Sequence, residues 1–194
     1  MLSNGDDPVA SALARAAAWV VDALTRATTP APVVLIDGRS GSGKSTLANE
    51  IARARARGED AVTLLALDTI YPGWDGLAAA SDMLATDILQ PRAEGRPGTW
   101  RRWDWNLGEA AERQDVQPHA ALIVEGAGAL TGHTAPLADI TVWLESPVAS
   151  RRSRALLRDG DAYRPHWERW AAQEREHIRQ HTPARWATHV FTVP

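Results

Sequence analysis

The chain has 194 residues, of which 44% are apolar and 23% charged; its formal net charge is −3 and it has no cysteine. That length suits one domain with a real core. The composition excludes disulfides, thiolate nucleophiles and cysteine-held zinc, and the mild acidity argues against a general nucleic-acid binder.

Residues 1–7 read as a loose tail whose Asp6 and Asp7 are unlike the basic start of a secretory signal. No stretch approaches a membrane span, so a cytoplasmic protein is expected. From Pro8 to about Thr28, the residues Val9, Leu13, Ala16, Ala17, Val20 and Leu24 recur at helical spacing, and Pro8 suits a first turn. Thr29 to Pro32 ends that helix and leads into a first strand, residues 33–37.

The next stretch, Gly38-Arg39-Ser40-Gly41-Ser42-Gly43-Lys44-Ser45-Thr46, fits G-x-x-x-x-G-K-[ST], the phosphate-binding P-loop. It lies between a strand pattern and a helix pattern, the context that this motif requires. Lys44 is the only lysine among 21 basic residues. The glycines allow a tight turn that brings successive amides onto phosphate oxygens, and the following helix adds a favourable dipole. Lys44 is expected to reach the β and γ phosphates of ATP as a point charge, and Ser45 to ligate Mg²⁺. The helix should run to about Arg57, with Gly58 as its stop. Arg53, Arg55 and Arg57 read as a solvated helix end suited to the dipole.

Residues 61–67 read as a second strand buried on both faces, followed by a loop over 68–76 and a helix over 77–90. Residues 91–98 form a turn-rich connector, and 100–105 are aromatic and basic, in keeping with a short hairpin. Further strands are expected at 120–125, 140–144 and 190–193, and helices at 147–158 and 165–181. This alternation predicts an α/β, P-loop NTPase-type three-layer domain: a parallel sheet flanked by helices, with a helical Arg-bearing lid at about 147–166. The whole chain, 1–194, reads as one such domain, with the tail and first helix occupying 1–30.

Ligands of such sheets bind beyond the carboxyl ends of the strands, and two carboxylates end strands there. Phosphoryl transfer needs Mg²⁺ held against the phosphates and a carboxylate to take the acceptor's proton. Asp68 is the candidate base and Glu125 the candidate Mg²⁺ partner. Trp74, Trp100, Trp103 and Trp105 fall near one proposed pocket, with Arg101 and Arg102 between them. Their indoles can stack a flat ring, and Asp75 or Asp104 can accept hydrogen bonds from ribose hydroxyls. Arg151, Arg154 and Arg158 have a spacing that lets them converge on phosphates and on transition-state charge. Arg164 is assigned to the same lid. His166, Trp167, Trp170 and Gln173 share the following helix; its two tryptophans read as core, with closure of the pocket as the alternative, and His119, His133, His177, His181 and His189 read as incidental.

These residues resemble the uridine kinase branch of the P-loop nucleoside kinases over roughly Val33 to Arg164. Leu67-Asp68-Thr69-Ile70-Tyr71 is similar to the family's Asp-Ser-Phe-Tyr segment, which carries the catalytic Asp. Trp74-Asp75 is similar to its aromatic–Asp pair, whose Asp binds ribose. Trp103-Asp104-Trp105 is similar to its Tyr-Asp-Phe, whose aromatics line the base pocket. Glu125-Gly126 matches a Glu-Gly associated with Mg²⁺, and Arg151 to Asp159 is similar to a lid helix whose arginines embrace the phosphates. The family's insertion between its Tyr and its ribose Asp is missing, and Gly108 stands where a pocket His is usual. The resemblance implies an ATP-dependent kinase of a small hydroxyl compound, with a nucleoside leading. A sugar, vitamin or antibiotic kinase stays open, as does a nucleotide-binding regulator or ATPase switch. Neither nucleic acid nor membrane is expected as a partner, and a homo-oligomer is compatible with the sequence.

Overall fold

The computed structural model describes residues 7–55 and 62–194. Residues 1–6 of the loose tail expected over 1–7, the helix end at Arg57 and Gly58, and the start of the strand at Ala61 lie outside the described residues.

Asp7 caps the first helix, α1 (Pro8–Arg26), by accepting the Val9 amide at 2.9 Å. Next come β1 (Val33–Gly38), α2 (Lys44–Arg55) and β2 (Val62–Ala66). A helical segment follows, made of α3 (Leu77–Met83), a wider-wound turn (Leu84–Leu89) and α4 (Gln90–Ala93). The antiparallel pair β3 (Gly98–Asp104) and β4 (Glu109–Val116) forms a separate hairpin. Then come β5 (Ala121–Glu125), β6 (Ile140–Glu145), α5 (Val148–Tyr163), α6 (Trp167–His181) and β7 (His189–Thr192).

The main sheet has the order β2-β5-β1-β6-β7, and every pairing in it is parallel. Side chains alternate across β1, so each face feeds its own core. Val34 and Ile36 pack with Leu13, Val20, Leu47 and Ile51 beneath α1 and α2. Val33 and Leu35 pack with Leu65, Leu84, Ile88, Trp167 and Trp170 on the other side. The expected three-layer α/β architecture is therefore present, and among the described residues no helix is long and apolar enough to cross a membrane.

Three local expectations are corrected. First, the second strand is at the sheet edge, so it is not buried on both faces: Leu64 is 36% exposed. Second, the helix expected to stop at residue 90 continues through Pro91 to Ala93. The wide turn lets it do so: the Gln90 amide bonds back to the Ala85 carbonyl, and Pro91 falls in a first turn, where its missing N–H costs nothing. Third, the hairpin is longer than 100–105. The polar run Glu109–Val116 carries no alternating apolar signal, yet it pairs with β3 from Gly98↔Val116 to Asp104↔Glu109.

Register builds the business end of the sheet. Glu125 lies opposite both Ile36 and Ala66, so β1, β2 and β5 end side by side. The loop after Gly38 and the short helical turn at Leu67–Thr69 leave that edge together.

Candidate active site

The loop after β1 wraps the start of α2. The first intrahelical bond runs from the Leu47 amide to the Gly43 carbonyl at 3.0 Å. The amides of Lys44, Ser45 and Thr46 thus have no intrahelical acceptor and are free for an anion. The loop's carbonyls turn the other way, towards cations. Lys44 Nζ donates to the Arg39 carbonyl at 3.2 Å, a guanidinium NH of Arg151 to Ser40 at 3.0 Å, and Arg154 Nε to Gly41 at 2.8 Å. Gly41 has φ +77°, and a Cβ there would sit 2.1 Å from the Arg151 carbonyl. Only glycine allows α5 to press so closely.

Lys44, Ser45 and Glu125 line a narrow cavity with Asp68 and Arg158. Glu125 is 5% exposed. Burial pushes its carboxyl above the usual carboxylate range, the nearby Lys44 ammonium opposes that, and Asp68 adds to it. The Ser45 hydroxyl faces the same carboxylate and favours its charged form. At Gly126, a side chain would strike Leu67 at 2.5 Å, so the chain after Glu125 packs flat against the turn bearing Asp68.

This cavity opens into a cleft of about 640 Å³ shared by Ser40, Ser45, Asp68 and Arg158 with a set of aromatic rings. Trp74 lies at the centre of these rings. It stacks on His166 at 4.1 Å and 11° and on Tyr163 at 5.5 Å and 19°, and meets Trp105 at 4.9 Å and Trp170 at 6.4 Å. Tyr71 forms the floor: it is fully buried, donates to the Ala127 carbonyl at 2.8 Å, and meets Trp170 edge-on. Burial pushes the phenols of Tyr71 and Tyr163 well above the usual tyrosine range. Both are neutral hydroxyls at neutral pH. Trp105 is 40% exposed, and its indole N–H donates to the Asp68 backbone carbonyl at 2.8 Å, tying the hairpin tip to the cleft.

The structure places several of the expected site residues away from this cleft. Asp75 is on the surface, gripped bidentately by Arg169, and does not line the cleft. Asp104 caps the hairpin turn, accepting the amides of Asn106 at 2.9 Å and Leu107 at 3.1 Å. Trp103 packs over Gly73, and Trp100 packs against the core. Of the four tryptophans expected together, Trp74 and Trp105 reach the cleft. Arg102 pairs with Glu112, and Arg101 bonds the Ala111 carbonyl. Arg151, Arg154 and Arg158 do not converge on a common cleft. Arg151 is 1% exposed and bonded to Ser146 and Ser40, and Arg154 is bonded to Gly41, Ser146 and Pro194. Arg158 alone of the three lines the cleft, beside Asp159.

Other participants were missed in the sequence. Tyr163 and Asn106 line the cleft without belonging to any motif. Trp170, for which the sequence leaves core packing and pocket closure open, is both core and cleft wall. His177, read as incidental, is buried against Asp37 at 3.0 Å. Asp37 also accepts the amides of Gly38, Gly128 and Leu130, so it fixes the roots of the two loops that leave β1 and β5. The one available signal was its placement inside an apolar strand.

With this geometry in view, the chain can be set beside known proteins. It aligns over 92% of its length with a possible uridine kinase from Bacillus stearothermophilus, covering 98% of that chain at a TM-score of 0.66 and 18% identity. The chain has the fold of the uridine kinase-like P-loop kinases. D-glycerate 3-kinase from Cryptococcus neoformans var. grubii shares this P-loop kinase fold, with 88% of each chain covered, a TM-score of 0.53 and 14% identity. In sequence, the chain is 30% identical over 129 residues to a cytidylate kinase from Thermococcus sibiricus. The match takes in 66% of this chain and 58% of that relative, so the chain spans less than two thirds of the relative's length. No family model matches the chain.

Proposed function

We propose that this protein is an ATP-dependent kinase that phosphorylates a hydroxyl of a small ring-bearing acceptor, with a nucleoside as the leading candidate. The observation that carries the reading is the single cleft joining Ser40 and Ser45 of the phosphate loop, through Asp68, to the rings of Tyr71, Trp74, Trp105, Tyr163 and Trp170. Small-molecule sites of this size combine apolar walls with a few converging polar groups.

The donor end fits a nucleoside triphosphate with Mg²⁺. The free amides of Lys44, Ser45 and Thr46, with the Lys44 ammonium, suit phosphate oxygens. The Ser45 hydroxyl and the Glu125 carboxylate are hard oxygen donors of the sort that hold Mg²⁺ together with substrate phosphates. When bound, Mg²⁺ would supply charge neutralisation between the phosphates. The glycines Gly38, Gly41 and Gly43 and the intervening Ser40 and Ser42 shape the loop around the phosphates. Asp68 accepts the acceptor's hydroxyl proton, and Arg158 balances charge on the transferring group. Arg151 and Arg154 serve by holding the loop's carbonyls outward.

The acceptor end favours an uncharged alcohol over a nucleoside monophosphate. Arg158 is the only cation among the described residues that line the wide cleft, and it stands on the donor side. A phosphate-bearing acceptor would need cations of its own. An ATP-consumption screen over nucleosides, nucleoside monophosphates, sugars and related alcohols tests the reading. Acceptor-dependent turnover with a nucleoside or another ring-bearing alcohol is expected. Turnover with monophosphates alone, or hydrolysis independent of any acceptor, overturns it.

A further inference from the structure

We propose that one face of α6 is the frame that sets the phosphate loop and the acceptor loop, residues 68–76, relative to each other, with Glu174 as the positioning residue of the phosphate loop. The proposal rests on the kinase reading above and gives roles to Gln173, Glu174 and His177, which that reading leaves without one.

Trp170, Gln173, Glu174 and His177 follow i, i+3, i+4, i+7 spacing and share one stripe of the helix. Each meets a different part of the site. Trp170 forms a wall of the cleft. Gln173 donates to the Trp74 carbonyl at 2.6 Å and accepts the Leu77 amide at 3.3 Å, so it pins the end of the acceptor loop where it enters α3. One oxygen of Glu174 accepts the Ser40 amide, and the other accepts Arg39 Nε at 2.9 Å. His177 meets Asp37 at the root of the same loop.

A carboxylate on a phosphate-loop amide could act in two opposite ways. It could compete with phosphate for that amide, or it could hold the loop from behind. The geometry points to the second. Glu174 is 2% exposed and lines neither the narrow cavity nor the cleft, whereas Ser40 lines both. The carboxylate therefore sits behind the loop, turning the Ser40 peptide so that its side chain faces the space between donor and acceptor. A buried carboxylate that keeps both its partners is a rigid anchor. Preorganisation of this kind lowers the cost of ordering the loop on binding.

The test compares Glu174→Gln and Gln173→Met with the wild type in MgATP titrations and steady-state kinetics. Glu174→Gln is expected to weaken MgATP binding about tenfold, with the acceptor KM little changed, because a hydrogen bond to a charged group is lost at the loop. Gln173→Met is expected to do the reverse, raising the acceptor KM several-fold while the MgATP affinity stays near wild type. Equal or tighter MgATP binding by Glu174→Gln overturns the positioning role, and tighter binding identifies Glu174 as a competitor. If the wild type binds no MgATP, the kinase reading falls and takes the proposal with it. Hydrogen exchange at the Ser40 amide of the wild type needs no variant. Strong protection is expected, and fast exchange overturns the contact even if Glu174→Gln fails to fold.

Discussion

The two ends of the cleft are built by opposite means. At the donor end, charged groups are buried and held: Lys44, Glu125, Arg151 and Glu174 are each under 10% exposed, and Arg151 and Glu174 each bond the loop backbone at Ser40 and a second partner, the Ser146 carbonyl and the Arg39 side chain respectively. At the acceptor end, rings from three separate segments meet one another, and the outermost, Trp105, is half in solvent. Buried polar contacts fix position to within tenths of an ångström but tolerate no replacement. Ring contacts are looser and allow the pocket to be retailored while the phosphate chemistry stays constant. The similar chains share the fold, while the acceptors they are named for range from uridine to glycerate.

The contrast can be broken at its junction. Asp68 belongs to both ends, and Asp68→Asn is expected to lower kcat by about 10²–10⁴-fold, the usual scale for a lost general base. MgATP binding measured by titration should stay close to wild type. A full loss of binding would instead make Asp68 a structural part of the donor end.

Arg151→Met sharpens the donor side. It leaves the Ser40 and Ser146 carbonyls without their donor inside the core. A stability loss of about 3 kcal/mol is expected in denaturant unfolding, as for other broken buried polar networks. A variant that loses nucleotide affinity at unchanged stability would restore Arg151 as a direct phosphate ligand. On the acceptor side, Trp105→Ala should raise the acceptor KM about tenfold, in line with one lost stacking partner, and should leave overall stability nearly intact.

Glu125 gives a pH signature. Its folded pKa lies above the unfolded value, so its contribution favours folding at low pH and is lost as pH rises through the raised pKa. Glu125→Gln should therefore unfold at a slightly higher temperature than wild type at neutral pH. Its Mg²⁺-dependent nucleotide binding should be weaker, and a lower unfolding temperature would contradict the burial effect. The smallest change is expected from Asp75→Asn. It breaks only an exposed ion pair with Arg169, so the acceptor KM should stay within about twofold of wild type. A large rise would return Asp75 to the ribose role first read from its place after Trp74.

What the sequence made legible follows the same division. The loop from Gly38 to Thr46, and the strand-end carboxylates Asp68 and Glu125, depend on local spacing, and local spacing is visible in one dimension. The partners that complete the site come from far along the chain. Glu174 lies 134 residues from Ser40, and His177 lies 140 from Asp37; on α6 both read as ordinary polar positions of an amphipathic helix. Spacing misled where a second partner claimed the side chain. Arg151 and Arg154 have the right periodicity for a phosphate-facing row, but α5 lies so close to Gly41 that its first turns meet the loop's carbonyls instead. Asp104 reads in sequence as a partner for hydroxyls because nothing in a single strand shows that its tip is a turn in need of a cap.

Leu13 lies on α1, away from every group assigned to the chemistry, yet a Cβ placed on Gly43 would touch its methyl at 3.0 Å. The glycine that opens the phosphate-binding helix is thus backed by an aliphatic side chain of the N-terminal helix. A library selected for altered nucleotide affinity should return position 13 alongside the motif itself, and helix α1 becomes a place from which to tune turnover without editing a single residue of the cleft.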